Sequence, residues 1–512
     1  MSIYHSTLNR RDFIKNLGLA GAGIGAAAVA APMFHDLDEA ISAPTAGWKR
    51  PWWVKSKDEP TVEIDWSQIK RYDHRTTAHS AYPNAQHWGK DRWMEAVAQG
   101  KVKDAALKGT PGWELRDYAL YWCGDAFDLW PKRSPLWMGR TEFNNTPEKL
   151  GFPKWQGTPE ENTRMVRAAA IHVGATQIGT AELAGNERKL VYTYNRTGPT
   201  GSSTGTGWID KWPPPVGNWV KFEFQDVDVG YTAAIDGVED SLCVLPDRPL
   251  WDISVMIPMA KESWRTTSAD EMSSTMIASE ANKARYRMFH QSVLPGLQSF
   301  IRALGYHSYA YPKGDGPGGT LPAEASAVLG GVSEMGRSSE ICINPEYGPV
   351  TGYYSIITDL PLEPCKPIDA GIFRFCHTCR KCAEACPSGS ISKDSEPSWE
   401  IPNFDYKVPN MINNPGKKLF WSDMTACQAS SGYFNKCNHL CRGVCTMNVN
   451  AAAMIHEVVK GTLSTTPVFN GFLWNMGKSF GYGTLSAEDW WEMAPGLPAW
   501  GTFPTLNTTR GV

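Results

Sequence analysis

Eight of the chain's 12 cysteines lie between Cys376 and Cys445, whereas Cys123, Cys243, Cys342 and Cys365 are scattered. Crowding at short spacing favours a metal over a disulfide framework. The first group, Cys376-x2-Cys379-x2-Cys382-x3-Cys386-Pro387, offers three closely spaced thiolates to one [4Fe–4S] cubane and sends the fourth to a second cluster. The second group, Cys427-x9-Cys437-x3-Cys441-x3-Cys445, supplies the remaining ligands. The crossed rule assigns Cys376, Cys379, Cys382 and Cys445 to one cluster and Cys386, Cys427, Cys437 and Cys441 to the other. In the second group the middle gap is three residues and Thr446 stands where proline would follow, so the closure of that loop stays open. Zinc would call for paired knuckles, a poorer match to three cysteines at successive two-residue gaps. His377 and His439 read as neighbours of the ligands, and all-cysteine ligation is the simpler account.

Clusters pass single electrons, and the roughly 300 residues ahead of this segment are expected to house what they serve. A capping box opens a helix at Thr158-Pro159-Glu160-Glu161, ahead of Met165, Val166 and Ala168 to Ala170. Lys189 to Tyr194 and Ser254 to Ile257 read as strands, and a helical pattern runs from about Ala269 to Leu304. Alternation of helix and strand predicts an α/β unit over residues 151–365, with the cysteine segment at 366–450 and a C-terminal region, 451–512, packing on the core. Residues 44–150, rich in Trp, Pro and charge, read as irregular wrapping apart from a helical Arg92 to Val97. The 22 Trp residues suit either core packing or a pocket for a large planar ligand.

The first 43 residues read as an address. Arg10 and Arg11 precede an uncharged run from Leu17 to Ala31, fifteen residues against the roughly 20 of a spanning helix, which makes a twin-arginine signal. Cleavage sites are offered at Ala28 and Ala30 or at Ala43. The Gly21 to Gly25 run imitates a dinucleotide loop, but no strand precedes it. Export in the folded state suits a chain whose cofactors are inserted in the cytoplasm. With 50 basic against 53 acidic residues, a net charge of -3, no field favours nucleic acid.

Along the whole chain, the leader, Thr158 to Asn162, Leu304-Gly305-Tyr306, Asn344-Pro345-Glu346-Tyr347-Gly348, Thr358-Asp359-Leu360-Pro361-Leu362 and the double cysteine motif together resemble the corrinoid-dependent reductive dehalogenases. The resemblance implies an α+β architecture: a nitroreductase-like α/β domain burying a corrinoid, and a ferredoxin-like segment with two [4Fe–4S] clusters. It implies replacement of halogen by hydrogen on a chlorinated alkene or arene by a Co(I) corrinoid, held base-off. The Asp-x-His-x-x-Gly motif of axial-histidine cobalamin sites is absent at all 11 histidines, in keeping with that state. It further implies a tyrosine proton donor, for which Tyr286 is the candidate, steadied by Lys313 or Arg337. An arginine that some relatives place three residues before the Thr358 run is replaced here by Ser355. Expected partners are a small organohalide, a small integral membrane anchor protein and an upstream respiratory donor, on the outer face of the cytoplasmic membrane. Two alternatives share the cysteine motif. Epoxyqueuosine reductases act on tRNA and need no export signal, and a plain exported electron carrier would hold no cobalt.

Overall fold

The computed structural model describes residues 50–123, 137–140, 145–196, 207–266, 275–312, 319–406, 411–430, 437, 440–448, 454–479 and 485–493. The leader, Lys313 and His439 lie outside them. The stretch before residue 150, expected to be irregular, carries helices α1 (Ala81–Trp88), α2 (Lys90–Leu107) and α3 (Leu115–Cys123). Helix α2 includes the foreseen Arg92 to Val97, where Trp93 and Val97 bury against Ala429 of the cysteine segment. Tertiary burial rather than a regular apolar stripe holds it.

Helix α4 (Pro159–His172) begins at its capping residue, with Thr158 Oγ1 accepting from Glu161 N at 3.2 Å. Strands follow as β1 (Gln177–Glu182), β2 (Tyr194–Arg196), β3 (Trp219–Gln225), β4 (Tyr231–Ile235), β5 (Val238–Pro246) and β6 (Trp251–Pro258). The strand expected from Lys189 to Tyr194 forms only from Tyr194 onward. Glu187–Leu190 is a 3-10 turn, and the amides of Tyr192 and Thr193 bond Thr320 O and Tyr72 O, both at 2.9 Å, rather than a neighbouring strand. Helix α5 (Met276–Met288) passes through a π turn, Phe289–Val293, into α6 (Leu294–Ala303). Pro295 brings no N–H to the ladder, and the wider turn stands just ahead of it. Strand β7 (Ser308–Tyr309), helix α7 (Ala323–Leu329) and strand β8 (Thr351–Thr358) complete this part.

Two four-stranded sheets result, one antiparallel in the order β1-β6-β8-β7, the other in the order β2-β3-β5-β4 with β3 and β5 parallel. On β6 the side chains alternate. Ile253, Val255 and Ile257 join Val166 of α4 and Leu297 and Ile301 of α6 in the main core, each such side chain stabilising the fold by about 1.5–3 kcal/mol. Asp252, Ser254 and Met256 take the opposite face, where Met256 meets Ala327 of α7. That helix sits directly on the sheet because a Cβ at Gly179 would lie 2.0 Å from Gly330 O. The family motifs act as ties. Asn162 Nδ2 donates to Pro361 O at 2.9 Å, and Asp359 accepts from His307 N at 2.6 Å.

The cysteine segment contributes α8 (Ile372–Thr378), α9 (Lys381–Ala385), α10 (Met424–Ser430) and α11 (Leu440–Gly443), followed by α12 (Met454–Thr465), α13 (Asn470–Ser479) and α14 (Ala487–Met493). Its apolar side, with Phe373, Phe375, Phe420 and Trp421, packs on Trp53 from the N-terminal stretch and on Leu463 and Leu473 from α12 and α13. Lys55–Ser56 pairs with Ile368–Asp369, so described residues from before and after the segment close over it. Among the described residues no helix is long and apolar enough to cross a membrane.

Asp252 is buried between β6 and α7, where it accepts from Ser326 Oγ at 2.5 Å. Burial pushes its carboxyl from 3.8 up to about 7, against the pull of the Ser326 and Ser355 hydroxyls. A carboxyl raised in the folded state holds its proton there and not in the unfolded chain, so its contribution is complete below 3.8 and is lost as pH rises through about 7. Asp252→Asn removes that loss. Unfolding midpoints measured across this range should fall less steeply with pH in the variant than in the parent chain.

Candidate functional site

The eight thiols gather around two adjoining cavities. Cys376, Cys379, Cys382 and Cys445 line the first, and Cys386, Cys427 and Cys437 line the second. Cys441 borders both, and none of the eight is disulfide-bonded. Helix α8 presents Cys376, the turn after it Cys379, α9 Cys382 and the residue after α9 Cys386. Among the described residues no three His, Cys, Asp or Glu side chains converge as they would on a single ion. Thiols standing around a cavity suit a polynuclear group instead.

The electrostatics point the same way. Burial, then the neighbouring Cys379, Cys382 and Cys445, pushes the Cys376 thiol well above its ordinary range. Burial raises Cys382, Cys427 and Cys441 likewise, and Cys445 to about 12. Together they ionise only around a strongly cationic core. Cys386 differs. Burial opposes its ionisation, but the hydroxyls of Ser388 and Ser390, at 3.4 and 3.2 Å, outweigh it and hold the thiol low.

Tyr286 occupies the last turn of α5, immediately before the π turn. Arg285 Nη2 donates to its hydroxyl at 2.7 Å, with the guanidinium carbon 4.2 Å from the ring centroid. Arg285 Nε is held by Asn282 Oδ1 at 3.0 Å. The side chain lies against β8 because residue 352 is glycine: a Cβ there would stand 2.6 Å from Arg285 Cδ. His290, Tyr354, Phe289 and Tyr311 build an aromatic wall next to Tyr286, with His290 nearly parallel to it at 6.5 Å and Phe289 stacked on Tyr354 at 3.9 Å. Burial pushes His290 down to about 3, so its ring is neutral at ordinary pH. The Tyr354 hydroxyl is buried, with the Arg285 guanidinium acting on it.

Of the two expected partners of Tyr286, Lys313 lies outside the described residues, and Arg337 is placed elsewhere. Its Nε donates to Cys376 O and Cys379 O, Nη1 to Ser392 O and Asp394 O, and Nη2 to Cys376 O and His377 O, at 2.5–3.2 Å. Every N–H of the fork is thus spent on the cysteine segment, and the partner role falls to Arg285. Sequence reasoning missed Arg285 because neighbours on a helix normally diverge. Only the glycine at 352 lets it fold back. His377 Nδ1 faces Glu396 Oε2 at 3.1 Å.

The two regions meet at β8. Arg442, next to Cys441, donates to Pro349 O and Thr351 O at 2.9 and 2.8 Å, one residue from the Gly352 against which Arg285 packs.

A family described as reductive dehalogenase subunit matches residues 49–362. The chain belongs to the reductive dehalogenase family. It is 32% identical to a chloroethene reductive dehalogenase of Dehalococcoides mccartyi (strain VS), over 96% of this chain and 98% of that one. A trichloroethene reductive dehalogenase of Dehalococcoides mccartyi (strain ATCC BAA-2266 / KCTC 15142 / 195) is also 32% identical, over 95% and 97%. In fold, the chain resembles a solved reductive dehalogenase whose structure suggests a mechanism for B12-dependent dehalogenation, with a TM-score of 0.51 at 17% identity over 86% of this chain. This chain spans 50% of that longer protein's length.

The contrast among the thiols is measurable in metal-free chain. At pH near 7 an alkylating reagent should modify Cys386 before Cys376, Cys427 or Cys441, because reaction follows the thiolate fraction. Mass spectrometry of timed samples checks the order.

Proposed function

We propose that this dehalogenase is a respiratory enzyme that replaces halogen by hydrogen on a chlorinated alkene or arene, with Tyr286 as proton donor. The observation that carries the reading is the meeting at β8 of the thiol-lined cavities, through Arg442, with the Arg285–Tyr286 pair. In this reading the mixed helix-and-sheet region over 151–365 is the nitroreductase-like corrinoid domain and 366–450 the ferredoxin-like segment. Cys376, Cys379, Cys382 and Cys445 hold one [4Fe–4S] cluster, and Cys386, Cys427, Cys437 and Cys441 the other. The aromatic wall beside Tyr286 supports a corrinoid there, since flat apolar side chains suit a large planar ligand, and the absent axial-histidine motif supports its base-off state. When bound, the cofactors supply low-potential electrons and a Co(I) centre able to cleave a carbon–halogen bond.

The chain's own residues supply the proton and the enclosure. Arg285, donating to the Tyr286 hydroxyl, holds that oxygen in place as the proton departs. His290 is neutral and a poor competitor as acid, and burial raises the hydroxyls of Tyr311 and Tyr354 far above the usual tyrosine range. The wall keeps water from the reacting centre. Chlorinated ethenes are the first substrates to try, given the whole-chain similarity to chloroethene and trichloroethene dehalogenases. The twin-arginine leader supports placement on the outer face of the cytoplasmic membrane, with a small membrane anchor protein and a respiratory electron donor as partners. The epoxyqueuosine-reductase and plain-carrier readings are less supported, since relatives matched over nearly the whole chain are dehalogenases.

Protein reconstituted with cobamide should contain about eight irons per chain and one cobalt, and should release halide from chloroethenes, chlorobenzenes or chlorophenols given reduced viologen. Iron without cobalt would sink the proposal. Tyr286→Phe should cut halide release by about 10²–10⁴-fold with iron and cobalt unchanged; full activity would remove Tyr286 from the role.

The crossed ligation is tested by paired variants. Cys376→Ala with Cys445→Ala should leave about half the iron, whereas Cys376→Ala with Cys386→Ala should deplete both clusters. The reverse pattern in an iron assay would show that the runs do not cross.

A further inference from the structure

Arg337 is a buried cation without a carboxylate. Its side chain is 1% exposed, and among the described residues no Asp or Glu comes within ion-pair distance of its guanidinium. It lines the first cavity beside Cys376, Cys379 and Cys382, and Phe420 lies 4.1 Å from its guanidinium carbon. A charge so placed is costly unless something negative balances it, and carbonyl dipoles do so only in part. The nearest source of full negative charge is the set of thiols in that cavity, which act on Arg337 in the order Cys376, Cys382, Cys379.

The same short hairpin, Glu334–Met335 with Cys342–Ile343, also grips the other end of α8. The Glu334 carboxylate accepts from the amides of Ala370, Ile372 and Phe373 at 2.6, 3.3 and 3.4 Å. Glu334 therefore caps the start of the helix that presents Cys376, while Arg337 ties down the carbonyls at its end. A rigid two-point clamp leaves the cation at a fixed distance from the cluster.

We propose that Arg337 is a positioning residue whose buried charge raises the reduction potential of the cluster held by Cys376, Cys379, Cys382 and Cys445, a role that rests on the cluster reading given above. A cluster ligated by thiolates is anionic and gains one further negative charge on reduction, so a fixed cation stabilises the reduced form more than the oxidised one. Among the described residues the lining of the second cavity holds no such cation, and Glu340 stands 3.9 Å from Cys427 Sγ; Arg442 acts on Cys441, a thiol that borders both cavities. The two clusters are thereby set apart in potential by the protein and not by ligand type.

The test is a redox titration of the full reconstituted chain followed by electron paramagnetic resonance, with an iron assay alongside. Arg337→Gln keeps N–H donors for the carbonyls and loses the charge; Arg337→Lys keeps the charge. In Arg337→Gln one midpoint should move to lower potential, by the equivalent of about a tenfold fall in the reduced-to-oxidised ratio, about 59 mV for a one-electron couple. The other midpoint should stay, and Arg337→Lys should restore the first. Unmoved midpoints at full iron content would overturn the proposal, as would an equal shift in Arg337→Lys. If Arg337→Gln loses iron, the lysine variant decides: iron retained at the native midpoint supports the charge, and loss of the same cluster overturns it. A parent chain that binds no iron would overturn the cluster reading itself and this proposal with it.

Discussion

Sulfurs crowded inside a protein cannot ionise together unless a multivalent cation lies among them, and much of this structure answers to that constraint. Burial and mutual repulsion raise most of the thiols, so the segment from Cys376 to Cys445 must be held shut by forces other than its own sulfurs. The hairpin with Glu334 and Arg337 grips both ends of one ligand helix, Arg442 pins another to β8, and Trp53, Leu463 and Leu473 cover the apolar side. Apart from Arg442, which adjoins Cys441, each is distant in sequence from the cysteines it steadies.

The second consequence is that the thiol-lined region and the Arg285–Tyr286 pair share a strand. β8 is buried along its whole length and pairs with β6 over eight residues, which makes it a rigid reference for what packs on it. At Thr351 it receives Arg442 from the cysteine segment, and at Gly352 it yields space to Arg285 from α5. The two arginines repel one another, a cost in a low-dielectric interior that the tie to carbonyl oxygens and to the Tyr286 hydroxyl helps to offset. The π turn after Tyr286 widens the helix where the aromatic wall is assembled, a use of that irregularity common at functional sites.

Local signals were legible where one short stretch contains the whole physical cause. The Thr158 cap, the strand at Ser254 to Ile257 and the helical run ending near Leu304 depend on neighbours in sequence, and they form where expected. The helices before residue 150 and the strands from Trp219 to Pro246 were not read. Helix α2 is held by burial of Trp93 and Val97 against Ala429, and β3 to β5 by a second sheet whose parallel pairing joins residues far apart. The stretch at Lys189 to Tyr194 has a strand's composition, but its amides find loop carbonyls first.

By itself the sequence set the expectation of a metal, because gaps of two residues between three thiols suit one small polynuclear group almost regardless of the surroundings, with the fourth cysteine of the run reaching a second. It also determined the family, through short ties such as Asn162 to Pro361 whose residues are spread along the chain. Only the tertiary structure decided which cation serves which group. In the sequence Arg337 reads as a candidate partner of Tyr286, and nothing singles out Arg285. The missing Cβ at Gly352 folds Arg285 onto Tyr286, and carbonyls exposed at the end of α8 capture Arg337, because a buried guanidinium goes wherever the backbone leaves the most acceptors unpaired.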